Sequence, residues 1–214
     1  MEDKTGLIIT LYGNFNFGNK LQNYALLQVL EKFGLSVHTA NIAYKFESLI
    51  MNMKSFIKES LVKIFCPTVE KNREIKFIKF SSRYLKPTKE KYYTNSVQKI
   101  TNYDFLIYGS DQIWNPSCLG DSNLFLGFLG AKNKNIAYAA SFGISRLPVE
   151  LRDRYCNGLN NFHQISVREE QGMEIIRQLD CHQAAEVVLD PTLLVAKETW
   201  NSLEKMPNAW NVSD

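Results

Sequence analysis

Gly13-Asn14-Phe15-Asn16-Phe17-Gly18-Asn19-Lys20-Leu21-Gln22-Asn23-Tyr24-Ala25-Leu26 joins a short apolar strand to a long amphipathic helix. The strand is read over Leu7 to Leu11, an unbroken apolar run of the kind buried in a parallel sheet. The helix carries Leu21, Ala25, Val29 and Phe33 at spacings of four, with Leu26 and Leu30 beside them, a stripe expected to face the core. Gly34 is placed to stop it, and a second strand follows over Leu35 to Ile42. The opening is therefore a βαβ unit with a glycine- and asparagine-rich first turn. Amides at a helix start attract anions, and glycine lets a ligand approach the backbone. Gly13 and Gly18 do not have G-x-G-x-x-G spacing, and no Gly-Lys-Ser/Thr makes a P-loop. The turn alone is equally well read as a βα connection in which Gly and Asn satisfy geometry.

Further along, short apolar runs alternate with helical patterns. Strands are expected at Phe105 to Tyr108, Ile136 to Ala140, Gln164 to Val167 and Glu186 to Leu189. Helices are expected over Lys71 to Tyr84, Pro148 to Asn160 and Glu169 to Leu179. Lys86 to Ser96 reads as a loop or an edge segment. The alternation predicts an α/β fold, a Rossmann-like parallel sheet with helices on both faces. Phe46 to Phe65 is a basic amphipathic helix pattern. Such a helix packs on its own domain, or makes peripheral contact with a membrane.

Bulk composition narrows the classes. The 214 residues are 45% hydrophobic and 22% charged, as in an ordinary globular protein. A net charge of +3, with the lysines scattered, gives no case for nucleic acid. Cys66, Cys118, Cys156 and Cys181 have neither C-x-x-C nor zinc spacing and read as reduced thiols, so no metal is expected. With no signal-peptide pattern at the start and no run as long as a membrane span, the expected location is cytoplasmic. If the 46–65 helix touches lipid, that becomes the inner face of the membrane.

Each later strand runs into polar or special residues at its carboxyl end, where α/β proteins bind ligands. These are Gly109-Ser110-Asp111-Gln112-Ile113-Trp114-Asn115-Pro116, Tyr138-Ala139-Ala140-Ser141-Phe142-Gly143, Ile165-Ser166-Val167-Arg168-Glu169 with Gly172, and Leu189-Asp190-Pro191-Thr192-Leu193-Leu194. With Leu21-Gln22-Asn23-Tyr24-Ala25-Leu26 they form five blocks spanning nearly the whole chain. In this the chain resembles the polysaccharide pyruvyl transferase family. The resemblance implies the N-terminal domain of a GT-B-like fold, over residues 1–195. Residues 196–214 would then be a helix and tail leading towards an absent second domain. It implies a reaction in which the enolpyruvyl group of phosphoenolpyruvate becomes a cyclic ketal on two sugar hydroxyls. The acceptor would be a sugar or lipid-linked oligosaccharide of an exopolysaccharide, capsule or cell-wall polymer, and phosphoenolpyruvate serves as co-substrate with no cofactor. The family's catalytic histidine lies in a Ser-Phe-His-Gly-like segment of the second domain. His38, His163 and His182 occupy no such motif. The chain thus reads as an N-terminal half, expected to be inactive alone and to partner a missing C-terminal domain or form a homo-oligomer. A GT-B-like glycosyltransferase using a nucleotide sugar, or a non-catalytic sugar-binding remnant, are the alternatives.

The chemistry selects candidate residues. Asp111, Arg168 and Glu169 are the catalytic candidates. Arg168 can grip a carboxylate or phosphate in bidentate fashion, or pair structurally with Glu169. Asp111 can act as a base or cap the segment after its strand. Asn16, Gly18, Asn19, Ser110, Gln112 and Trp114 are the candidate substrate contacts. Trp114 would stack on a sugar ring or fill core, and Tyr138 and Phe142 read as core.

Overall fold

The computed structural model describes residues 4–13, 16–43, 67–93, 99–120, 122–180 and 184–204. Seven strands form one parallel sheet in the order β3-β2-β1-β4-β5-β6-β7. They are β1 (Thr5–Ile9), β2 (Ser36–Ala43), β3 (Pro87–Tyr93), β4 (Phe105–Tyr108), β5 (Asn135–Ala140), β6 (Gln164–Val167) and β7 (Glu186–Val187). The helices are α1 (Phe17–Lys32), α2 (Pro67–Tyr84), α3 (Pro116–Leu119), α4 (Arg152–Leu159), α5 (Glu170–Leu179) and α6 (Lys197–Asn201). Period-two alternation divides the core between the two faces of the sheet. Leu7, Ile9, Leu106 and Tyr108 pack with Trp114, Phe142, Tyr155 and Ile175 on the face that α4 and α5 cover. Ile8 and Ile107 turn the other way, onto Leu26, Leu27 and Leu30 of α1. The fold is the expected α/β, Rossmann-like one. Among the described residues no helix is long and apolar enough to cross a membrane.

Several boundaries differ from the sequence reading. β1 ends at Ile9 rather than Leu11, because its pairing with β4 runs out at Ile9 opposite Tyr108. Of the two readings of the segment from Lys86, the edge one holds: Pro87–Tyr93 is an edge strand, β3, parallel to β2. The helix expected from Pro148 begins as a 3₁₀ turn over Val149–Leu151. The 46–65 helix pattern, Cys66, Cys181 and the tail from residue 205 lie outside the described residues. Cys118 and Cys156 are free thiols. α1 does end before Gly34, whose φ of +75° is the left-handed conformation expected there.

The stripe assigned to α1 holds at Ala25, Leu26 and Leu30 and is corrected at its two ends. Phe33 is 76% exposed and Leu21 is turned outward, while Tyr24, Ala25, Leu26, Leu27 and Leu30 are buried. The buried sector also includes Lys20, Gln22 and Asn23, polar residues that hydropathy assigns to the surface. Asn23 is satisfied by the Thr39 hydroxyl of β2, 3.1 Å from its Oδ1. Lys20 is different. Its Nζ is buried with no hydrogen-bond partner among the described residues and lies 4.2 Å from the centre of the Tyr12 ring.

Burial lowers the Lys20 pKa from 10.5 to about 8. Between those values the unfolded chain holds a proton that the folded chain has lost, so stability rises with pH across that window. Below about 8 the folded state bears the full cost of the charged form. Lys20→Met is therefore expected to stabilise the protein at pH 7 by about 2 kcal/mol, with the gain fading as pH approaches 10.5. Urea denaturation at pH 7 and at pH 10 measures this. A variant less stable than wild type at pH 7 would show that the ammonium finds compensation beyond the Tyr12 ring.

Candidate functional site at the sheet crossover

The strand order reverses between β1 and β4. β1 leads through α1 to β2 on one flank, and β4 leads on to β5 on the other. The two connections part there and leave a crevice above the strand ends, the usual ligand position in an open α/β sheet. An open cleft of about 510 Å³ occupies it. Asn16, Gly18, Asn19, Leu21 and Gln22 line it from the α1 side. Asp111 reaches it after β4, Arg168 after β6, and Asp190 and Thr192 after β7, with Trp200 of α6 at its margin.

Asn16 is the N-cap of α1, its Oδ1 accepting from the Gly18 amide at 2.8 Å. It satisfies one of the four amides a helix start leaves unpaired. A Cβ on Gly18 would stand 3.1 Å from that oxygen, so Gly18 also leaves room for the cap. Asp111 accepts from the Gln112 amide through Oδ1 at 2.7 Å. Its Oδ2 is buried without a partner. Burial pushes its carboxyl above the ordinary range, against the opposing pull of the Gln112 amide and the Arg168 charge.

Arg168 is tethered on one edge. Its Nη1 donates to Asp190 Oδ2 at 3.0 Å and to the Ser110 carbonyl at 3.2 Å. The expected pairing with Glu169 is looser, Nε to Oε2 at 3.5 Å. Asp190 also caps the next turn, its Oδ1 accepting from the Thr192 amide at 2.9 Å and hydroxyl at 2.7 Å. Glu169 accepts from the Ser141 hydroxyl at 2.6 Å and does not line the cleft.

Of the expected site residues, Asn16, Gly18, Asn19, Asp111 and Arg168 converge on one space. Trp114 is a correction. It is fully buried, donates Nε1 to the Phe125 carbonyl at 3.0 Å, and packs against Phe142 and Phe162. No face of its ring is free for a sugar. Ser110 is likewise fully buried, and Gln112 is turned towards Asn115 and Gly143 rather than into the cleft. Phe142 is core, as expected, whereas Tyr138 is half-buried and donates to the Leu189 carbonyl at 3.2 Å. Gln22, Asp190 and Thr192, which lie in the quoted blocks but not among the candidate contacts, and Trp200, which lies in none, also line the cleft. The strand-end position of Asp190 is the signal that marks it.

Among the described residues, no group of three or more His, Cys, Asp and Glu is placed to hold a metal ion. No curated protein and no solved structure matches the chain. The model of one family, described as polysaccharide pyruvyl transferase, matches residues 16–213, nearly its whole length. Four of the five blocks quoted from the sequence reach this one cleft, and the chain belongs to the polysaccharide pyruvyl transferase family.

Proposed function

We propose that this cleft binds phosphoenolpyruvate beside a sugar hydroxyl, as one part of a site that forms a pyruvyl ketal on a polysaccharide or its lipid-linked precursor. The observation that carries the reading is a single space faced by three groups. They are a guanidinium tethered on one edge, the residues of a helix start, and Asp111, whose Oδ2 is buried without a partner. The reaction needs the first two for phosphate and carboxylate, and a proton acceptor for the sugar hydroxyl. Asp111 suits the last role, because a carboxyl raised towards the working pH is a better base than an ordinary one. Arg168 and Asp190 balance each other in charge, and the α1 dipole favours an anion. No histidine lines the cleft among the described residues. The acid that protonates C3 of the enol would then come from a group other than these lining residues.

Calorimetric titration of the full chain with phosphoenolpyruvate tests the proposal, with UDP-sugars as the competing ligand class. Phosphoenolpyruvate is expected to bind, and Arg168→Met to weaken it roughly 10- to 100-fold, the worth of a charge-assisted pair. Binding of nucleotide sugars with no response to phosphoenolpyruvate would favour the glycosyltransferase reading instead.

A further inference from the structure

Gln22 lines the cleft, yet it has no hydrogen-bonding capacity left for a ligand. A glutamine amide offers two donors and an acceptor oxygen with two lone pairs. Nε2 donates to Thr10 Oγ1 at 3.0 Å and to the Asn19 carbonyl at 2.9 Å. Oε1 accepts from the Ser110 amide at 3.0 Å and from the Ser110 hydroxyl at 2.7 Å. The orientation of the amide is fixed by this pattern, since the Ser110 N–H can only donate. Gln22 thus ties the end of β1 and the start of α1 to the peptide after β4, 88 residues away.

That peptide decides what Arg168 can do. The Ser110 carbonyl and Asp190 Oδ2 both accept from Nη1, which uses both of its hydrogens. Nη2 has no partner among the described residues, so its two N–H groups are left for an incoming anion. A displaced Ser110 carbonyl would free the guanidinium to turn and close a two-pronged pair with Asp190. Such a pair consumes Nη2 and shuts the anion site.

We infer that Gln22 is a positioning residue, which through Ser110 holds Arg168 in the orientation that keeps Nη2 available. The inference rests on the reading of Arg168 as the anion-binding cation. Its test has an arm that needs no ligand. In ¹⁵N–¹H spectra of the full chain, the Arg168 side-chain signal is assigned by its loss in Arg168→Lys. Gln22→Met is expected to shift and broaden that signal, and Gln22→Glu, which keeps the acceptor for Ser110, to retain it. An Arg168 signal unchanged in folded Gln22→Met overturns the inference. Should Gln22→Met not fold, Thr10→Val removes one anchor of Gln22 and no cleft atom, and is expected to move the signal in the same direction. An unmoved signal there overturns it equally.

The second arm is a double-mutant cycle read by phosphoenolpyruvate titration. Gln22→Met alone is expected to weaken binding about tenfold, and to cause no further loss in the Arg168→Met background. Losses that multiply independently overturn the inference. If wild type does not bind phosphoenolpyruvate, the proposed function falls, and the spectra still decide the role of Gln22.

Discussion

Gly109→Ala is expected to leave the protein unfolded or close to it. Gly109 directly follows β4, and its amide donates to the Ile9 carbonyl of β1 at 3.1 Å. Its φ is +126°, a region that side-chain-bearing residues rarely adopt. A Cβ there would lie 2.2 Å from the Tyr138 carbonyl oxygen and 3.2 Å from its carbon. Both atoms are backbone of β5, the neighbouring strand, so no rotamer change relieves the contact. Strained backbone of this sort costs about 1–3 kcal/mol by itself. The clash at the centre of the sheet takes the total beyond about 4 kcal/mol, a large part of the stability of any domain. Gly34→Ala is the control. Its φ of +75° is also left-handed, but nothing lies within 4 Å of the added Cβ, so about 1 kcal/mol is expected. Urea denaturation followed by circular dichroism compares the two. A Gly109→Ala variant no weaker than Gly34→Ala would mean that the β4–β5 crossover is not packed as described.

The sheet was legible because its strands are of the kind that local pattern reveals. Phe105 to Tyr108 is an apolar run bounded by polar residues, and β4 occupies those four residues without change. β3 was ambiguous for a physical reason. At a sheet edge it needs little apolar surface, and its Pro-Thr-Lys-Glu-Lys-Tyr-Tyr sequence looks like a loop until β2 pairs with it. α1 misled in the opposite sense. Its face is defined by what the sheet and loops satisfy, so Gln22 and Asn23 are interior while Phe33 stands in solvent.

The candidate site divides in the same way. Asn16, Gly18, Asn19, Asp111 and Arg168 follow strand ends or open the first helix, where topology alone directs residues at the cleft. Ser110 and Trp114 belong to the same motif as Asp111 but turn inward. Which residues of a turn face the solvent depends on local backbone angles that residue spacing does not encode. Gln22 escaped because its four bonds reach Thr10, Asn19 and Ser110, and the longest crosses 88 residues. Trp200 escaped because it arrives from beyond the sheet, where its ring meets Tyr24 with centroids 5.8 Å apart.

Asp111→Asn is expected to melt higher than wild type and to bind phosphoenolpyruvate more tightly. In the folded protein the Asp111 carboxyl is held above its unfolded value, chiefly by burial. A carboxyl raised on folding adds stability only at low pH, where it is protonated in both states, and loses it as pH rises through the folded value. Above the unfolded value the carboxyl is therefore a cost to the fold, since its Oδ2 is buried without a partner. The amide keeps an acceptor for the Gln112 N–H and removes the charge. The gain in melting temperature should be clear at pH 7 and shrink towards pH 4. Removing a negative charge beside Arg168 should tighten phosphoenolpyruvate by roughly tenfold at low salt, and less as salt screens the cleft. Wherever turnover is measured, the same variant should lose about 10²- to 10⁴-fold in rate, the usual worth of a positioned proton acceptor. Higher stability and affinity with lower turnover is the pattern of a group kept for chemistry at the expense of the fold. If Asp111→Asn instead melts lower at pH 7 and binds no tighter, the fold compensates the Asp111 charge, and the hydroxyl proton must go to another group.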